Sequence, residues 1–396
     1  MTELLNAAAT VNDDVVELRR AIHREPELGL QLPKTQAKVL EGLAGLGLDV
    51  TTGESTTSVV ADLDCGDGPT VLLRGDMDAL PLTEESGESF MSEIEGTMHA
   101  CGHDGHTAML LGAAKVLSER RSELRGRVRF MFQPGEEGFH GAQYMIDEGV
   151  LDGVDRCYAL HCSTNYRAGT IAGRVGPMLA SADEFQVTVT GKGGHGSAPH
   201  ETVDPIPAAC AMVPAISTMV ARERSTFNPA VVSVTHINSG TTTNIVPETA
   251  FFEGTIRTFD QPTRQLVHER MHQLTASIAE SHRCSCHMEL VHGYPPTVNH
   301  AEGIADVEAG VERALGAGHY IDQPNPIMAA EDFSYLLAQR PGAMVSIGIC
   351  PDDIDPTEAA PLHSNRMRMN EEALANGVAV HVGVAMHCLG GSLSGS

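Results

Sequence analysis

A chain of 396 residues with a formal charge of −26 is repelled by phosphate backbones and anionic membrane surfaces, which argues against nucleic acid and lipid as partners. Hydrophobic residues at 42%, with 40 glycines and 21 prolines, describe a globular α/β protein, and the length asks for two domains rather than one core. Nine cysteines, an odd number without a framework, argue for reduced thiols. The N-terminus MTELLNAAATVNDDVVELRR lacks the basic-then-apolar order of a signal peptide, and no apolar run approaches the roughly 20 residues of a membrane span, so the expected location is the cytoplasm.

The first half alternates apolar strands with helical patterns, the order that gives a largely parallel sheet flanked by helices. VLLRGD (71–76), VRFMFQ (128–133) and CYALHC (157–162) read as buried strands, each running directly into polar residues. Ligands of open α/β sheets bind beyond the carboxyl ends of the strands. Asp76, Asp78, Glu136, Glu137 and His161 all fall there. Near residue 182 the pattern changes, since DEFQVTVTG alternates apolar and polar residues as a half-exposed antiparallel strand does. A helix near 204–222, strands near 230–237 and 249–257, a helix near 262–282 and a strand near 285–291 complete a βαββαβ order, a split unit able to form its own sheet. After GYPPTVN the alternation resumes through MVSIGI to a last helix from about Asn370. The expected organisation is one catalytic domain, 1–181 and 293–396, interrupted by an inserted domain over 182–292. The terminal GGSLSGS reads as a flexible or appended tail.

MHACGHDGH (98–106) concentrates Cys101, His103, Asp104 and His106, and FQPGEEG adds Glu136 and Glu137. Thiolate, imidazole and carboxylate together describe a transition-metal site, and a metal beside a spare carboxylate is equipment for splitting water at neutral pH. A lone histidine is more often a hydrogen-bonded structural residue. A Cys-x-His pair on a glycine-containing loop is a stronger signal, because both side chains can turn onto one centre, and Cys101 and His103 are therefore expected ligands. His99 and His106 are assigned to support. Adjacent Glu136 and Glu137 would repel unless a cation sat nearby, whereupon one can ligate while the other moves protons.

Three further stretches carry weaker signals. GKGGHGSAPH holds His195 and His200 on a glycine-rich turn, which could equally serve a hairpin alone. Asn244 in TTTNIVPE and Arg257 in GTIRTFD lie in the same inserted domain; the arginine fork suits a carboxylate, and a surface ion pair is its plain alternative. SHRCSCH (281–287) looks like a second metal site, but Cys284, Cys286, Met288 and Leu290 alternate as the inward face of a strand would.

Taken in order, HREPELG, RGDMDALPL, MHACGHDGH, FQPGEEG, ALH, GKGGHGSAPH, TNIVPE, AEDFS and PLHSNR resemble the dinuclear metallopeptidase superfamily of aminoacylases and carboxypeptidase G, over nearly the full chain. Within it the match is to the amidohydrolase branch of hippurate and auxin-conjugate hydrolases. The resemblance implies an α/β/α catalytic sandwich carrying an inserted, ferredoxin-like α+β domain for dimerisation and lid closure. It also implies two divalent metal ions, zinc with manganese or cobalt as alternatives, held by Cys101, His103, Glu137, His161 and His363. Glu136 would be the general base, His195 would stabilise the oxyanion, and Asn244 and Arg257 would bind the substrate carboxylate. Asp76 stands where the peptidase branches carry a metal-binding histidine, so Asp76, Asp78 and His106 are expected behind the ligands. The implied activity is hydrolysis of N-acyl amino acids by a homodimer or higher homo-oligomer. The alternatives are a dipeptidase or carboxypeptidase, an N-acetyl-diaminopimelate deacetylase, and a binding protein that has lost catalysis.

Overall fold

The computed structural model describes residues 1–390, and the tail beyond Gly390 lies outside them. The apolar runs of the first half join an eight-stranded sheet whose centre is parallel: Arg127–Gln133, Thr70–Asp76, Arg156–Arg167 and Gly342–Cys350 lie side by side in that order. Val59–Asp64 and Asp49–Thr52 add antiparallel at one edge, because the short connection between them allows no parallel crossover. At the other edge Ile171–Gly173 pairs antiparallel with Gly342–Cys350 and parallel with Tyr320–Asp322. The largely parallel sheet expected from the sequence is thus parallel at its centre and mixed at its margins.

Thr70–Asp76 and Gly342–Cys350 are buried at every residue, as strands covered on both faces must be. Two helices, His103–Glu119 and Glu372–Leu389, pack together and are buried nearly all round. Their glycines permit the close approach. A Cβ at Gly112 would meet Val378 Cγ2 at 2.6 Å, and one at Gly377 would meet Met109 Sδ at 2.0 Å. Glu372–Leu389 and Pro205–Glu223 are also long and apolar enough, by length and composition, to cross a membrane, which the sequence reading had not expected of any run. The apolarity of Glu372–Leu389 is that of a core helix, and the buried face of Pro205–Glu223 is Ala208, Ala209, Met212, Ile216 and Met219.

The chain divides into two compact units, Met1–Gly176 with Asn299–Asn325 and Asp332–Ser396, and Pro177–Val298 with Pro326–Glu331. The short piece Pro326–Glu331 had no signal in the sequence. In the second unit the strands stand in the order Ala230–Ser239, Thr249–Thr258, Asp183–Thr190, Ser285–Val291, all antiparallel, with the helices Pro205–Glu223 and Gln261–Ser281 packed onto them. This is the split βαββαβ arrangement. Cys284 and Met288 belong to its buried cluster with Cys286 and Leu290 packed against it, so SHRCSCH runs from the end of a helix into a strand with its cysteines turned to the core.

Asp183 ties this unit together. It is fully buried and accepts hydrogen bonds from Arg264 Nε at 2.7 Å, Arg264 Nη2 at 2.5 Å, His268 Nε2 at 3.0 Å and the Gly293 amide at 3.1 Å, joining the first strand, the second helix and the segment after the last strand. Burial opposes its ionisation, but the Arg264 and His268 hydrogen bonds hold its carboxyl down at about 2. A carboxyl depressed in the folded state stabilises above its unfolded value of ~4 and loses that contribution as pH falls toward 2. The unfolding midpoint should therefore decline between about pH 4 and 2. Asp183→Asn should flatten that decline and, by leaving Arg264 buried without its counter-charge, cost about 3–5 kcal/mol at pH 7, measured by chemical denaturation at pH 7 and pH 3.

Candidate metal centre

Two strand ends, two loops and the interior of a third strand build the site, all within the first unit: His161 lies inside Arg156–Arg167, which runs on past the strand end expected at 162. Thr70–Asp76 delivers Asp76 and, one turn on, Asp78; Arg127–Gln133 leads into Glu136 and Glu137; Arg156–Arg167 carries His161. The turn between Gln133 and Glu137 is set by Asp78, whose carboxylate accepts the adjacent amides of Glu136 and Glu137, each at 3.0 Å. Gly102, at φ +88°, turns the MHACGHDGH loop into the helix His103–Glu119. His363 enters from more than 250 residues away, and its amide donates to the Ala100 carbonyl at 2.8 Å. Its φ of +66° is a left-handed conformation that non-glycine residues seldom adopt, and here it faces the imidazole toward Cys101.

The side chains converge closely. Cys101 Sγ lies 3.5 Å from His161 Nε2 and 3.3 Å from His363 Nε2, and Glu137 Oε1 lies 3.3 Å from His363 Nε2 and 3.9 Å from His103 Nε2. Donor atoms of Cys101, His103 and His161, and of Cys101, Glu137 and His363, fall within 4.8 Å of one another, so two triads share the thiol. Glu136 stands beside them, its Oε2 4.0 Å from His103 Nε2. Ligands ~2.1 Å from a tetrahedral zinc stand roughly 3.4 Å apart, which is the spacing seen between the sulfur and its imidazoles. His103 Nε2 and Glu137 Oε1 are moreover buried without a hydrogen bond among the described residues, a state that ordinarily costs about 1–3 kcal/mol per group. The donor set and its orphaned atoms fit a cation.

Two of the imidazoles are aimed by their other nitrogen. His103 Nδ1 donates to the Asp78 carbonyl at 2.9 Å and His161 Nδ1 to the Cys162 carbonyl at 2.8 Å, which leaves both Nε2 lone pairs facing the centre. His106 Nε2 accepts the Cys162 amide at 2.7 Å, so its proton sits on Nδ1 and is donated to Asp76 Oδ1 at 2.5 Å. Burial opposes a proton on His103, yet the carboxylates of Asp76, Asp78 and Glu137 push it up to about 10: with protein atoms alone the pocket calls for positive charge. His161 goes the other way, held down at about 3 by burial and by His106.

The remaining histidine and aspartate of the loop are separate from this. Asp104 pairs with Arg19 Nε at 2.7 Å and His23 Nδ1 at 2.8 Å, anchoring the HREPELG segment. His99, expected in support of the ligands, is buried and has no hydrogen bond from either ring nitrogen among the described residues.

In the second unit, His195 and Asn244 come together. His195 pairs with Ile245 across a two-residue ladder, and the Gly196 amide donates to the Asn244 carbonyl at 2.8 Å. The Ser197 amide donates to His195 Nδ1 at 3.1 Å, which leaves Nε2 as the donor nitrogen of the exposed ring. Arg257 is not with them. It stands near the far end of the strand Thr249–Thr258, about 26 Å along from Thr249 at ~3.3 Å per residue, and has no ion pair among the described residues. Arg74, Gln133 and Asp332, buried behind the ligands, were not singled out in the sequence. The available signal was a charged or amide residue inside an otherwise apolar strand, as in VLLRGD and VRFMFQ.

Known proteins match this chain over most of its length. Residues 72–387 match the model of peptidase family M20/M25/M40. A protein of Saccharolobus solfataricus named thermostable carboxypeptidase 2 is 38% identical over 97% of this chain and 98% of its own, and an N-acyl-L-amino acid amidohydrolase of Geobacillus stearothermophilus is 41% identical over 76% and 82%. Among solved structures, a Bacillus subtilis protein described as a dinuclear metal binding peptidase superposes with a TM-score of 0.83 at 31% identity, covering 96% of this chain and 99% of that one. Two triads on one thiol, at the carboxyl ends of a parallel sheet, thus coincide with extended sequence identity, and the chain belongs to peptidase family M20/M25/M40.

Proposed function

We propose that this chain is a two-metal amidohydrolase that cleaves N-acyl amino acids to a carboxylate and a free amino acid. The observation that carries the reading is the pair of triads sharing Cys101, with the Glu136 carboxylate beside them. Cys101, His103, Glu137, His161 and His363 would hold two divalent ions, and the thiolate with three imidazoles favours zinc, manganese and cobalt being the alternatives. Once bound, such ions polarise the amide carbonyl and lower the pKa of water.

The chain's own groups supply the rest. Glu136 takes the proton of the attacking water and returns it to the leaving nitrogen. Asp78 keeps that carboxylate in place through the two amides it accepts, and Asp76 with His106 holds the strand that carries His161 at the adjacent Cys162 amide. His195, with its proton on Nε2, is a donor for the charge developing on the carbonyl oxygen. Asn244 and Arg257 would hold the substrate carboxylate, but one small substrate cannot reach both ends of the strand that separates them. We therefore assign the active form to a homodimer in which one copy lends His195 and Asn244 to its partner's substrate. The exposed edge strand Ala230–Ser239 and the apolar hollow of about 370 Å³ between Cys210, Pro214, Val234 and Ile237 offer a surface for that pairing. A carboxypeptidase would use the same metals and Glu136, and preference for a free dipeptide would favour that reading. The work is assigned to the cytoplasm, where a reduced Cys101 persists.

Acetyl- or benzoyl-amino acids should be hydrolysed in preference to free dipeptides, as read by ninhydrin. Glu136→Gln should keep the bound metal and lose turnover by about 10²–10⁴-fold; full activity in that variant would remove Glu136 from its role. Elemental analysis of enzyme purified without added metal should find zinc near two equivalents per chain, whereas Cys101→Ala should retain less than one. Light scattering should give a dimer, and mixing the inactive His195→Ala and Glu136→Gln proteins should restore roughly a quarter of wild-type activity, since half of randomly reassorted dimers would carry one intact site. Failure of the mixture to recover any activity would place His195 in the site of its own chain.

A further inference from the structure

Asp332, in the AEDFS stretch, grips three groups that lead to the candidate ligands. Its Oδ1 accepts from Arg74 Nη2 at 3.1 Å and from Gln133 Nε2 at 2.8 Å, and its Oδ2 accepts from Gln133 Nε2 at 2.9 Å and from the Ala142 amide at 2.9 Å. Gln133 is the last residue of its strand, and Ala142 lies in the first turn of the helix Gly141–Asp147. One carboxylate therefore closes both ends of the loop that carries Glu136 and Glu137. Arg74 extends the same network: its Nε donates to Gln133 Oε1 at 2.9 Å and its Nη1 pairs with Asp76, which in turn holds His106 and lies 3.5 Å from His103 Nε2. Arg74, Asp76, Gln133 and Asp332 are all at most 1% exposed, so each hydrogen bond acts away from water, where a missing partner is most strongly felt.

We propose that Asp332 is a positioning residue for the metal centre, fixing the Glu136–Glu137 loop through Gln133 and Ala142 and the Asp76 carboxylate through Arg74. A loop such as 134–140, pinned at one end only, would spread its carboxylates over many positions, and a donor set must be held to within about 0.5 Å to bind well. Asparagine at 332 keeps the shape but offers one acceptor oxygen to three N–H groups, so one end of the loop or the arginine must lose its partner. The inference rests on the two-metal reading for what is lost, and its test separates the two.

The full-length chain, stripped of metal by a chelator, is titrated with Zn²⁺ against a colorimetric competitor, and Co²⁺ loading is followed by its visible absorption. Asp332→Asn should remain folded by circular dichroism, bind Zn²⁺ about 10–100-fold more weakly, shift the Co²⁺ spectrum and, at saturating metal, lower kcat with little change in KM. Wild-type Zn²⁺ affinity and Co²⁺ spectrum in a variant whose melting temperature alone has dropped would overturn the proposal, leaving Asp332 a scaffold residue. If Asp332→Asn does not fold, Gln133→Met, which removes the bridging amide at nearly constant volume, carries the same comparison with the same two outcomes. A wild-type chain that binds no Zn²⁺ would overturn the two-metal reading and this inference together; an unaltered variant beside a binding wild type overturns this inference alone.

Discussion

Negative charge withdrawn from water is the constraint on which the rest of the first unit depends. Asp76, Asp78, Glu136 and Glu137 lie at adjoining strand ends, and like charges so close and so buried must be matched by protons, arginines, amide donors or metal ions. The structure uses several of these in layers. Arg74 answers Asp76 and Asp332; two main-chain amides answer Asp78; the His103 and His161 imidazoles face inward with their far nitrogens already committed to carbonyls. At the centre, where donor atoms of Cys101, His103, Glu137, His161 and His363 converge, we propose that bound metal ions supply the match.

The parallel sheet makes this arrangement affordable in conformational terms. Its central strands are covered on both faces and held by the packing of two nearly all-buried helices, so their ends are stiff. Loops at those ends can then carry a left-handed His363 and a tight Gly135–Gly138 turn without wandering. The second unit follows another logic. Its antiparallel sheet is covered by helices, its charge cluster at Asp183 is fully paired, and its chemically capable groups, His195 and Asn244, sit on exposed turns.

Much of the site was legible because its chemistry clusters locally. Cys101 and His103 are two residues apart, Glu136 and Glu137 adjacent, and each follows a strand announced by an apolar run. His363 was legible only through resemblance, since nothing near it signals a ligand and its approach depends on one main-chain hydrogen bond to Ala100. His99 shows the opposite error of local reading: two positions from Cys101 in sequence, it turns into the interior and touches no ligand by hydrogen bond among the described residues. Asp332 was passed over because a carboxylate that works by gripping an amide, an arginine and a helix start has no spacing to betray it.

The sequence alone determined the donor types, the strand ends that present them, the α/β class and the split order of the inserted strands, because periodicity and local motif are properties of neighbouring residues. The tertiary structure decided which imidazole nitrogen faces the centre, that one thiol is shared by two triads, and that Asp78 and Asp332 govern the glutamate loop from behind. It also decided that Arg257 lies a strand's length from His195 and Asn244. Those are relations between atoms brought together by folding across hundreds of residues, and no local pattern encodes them.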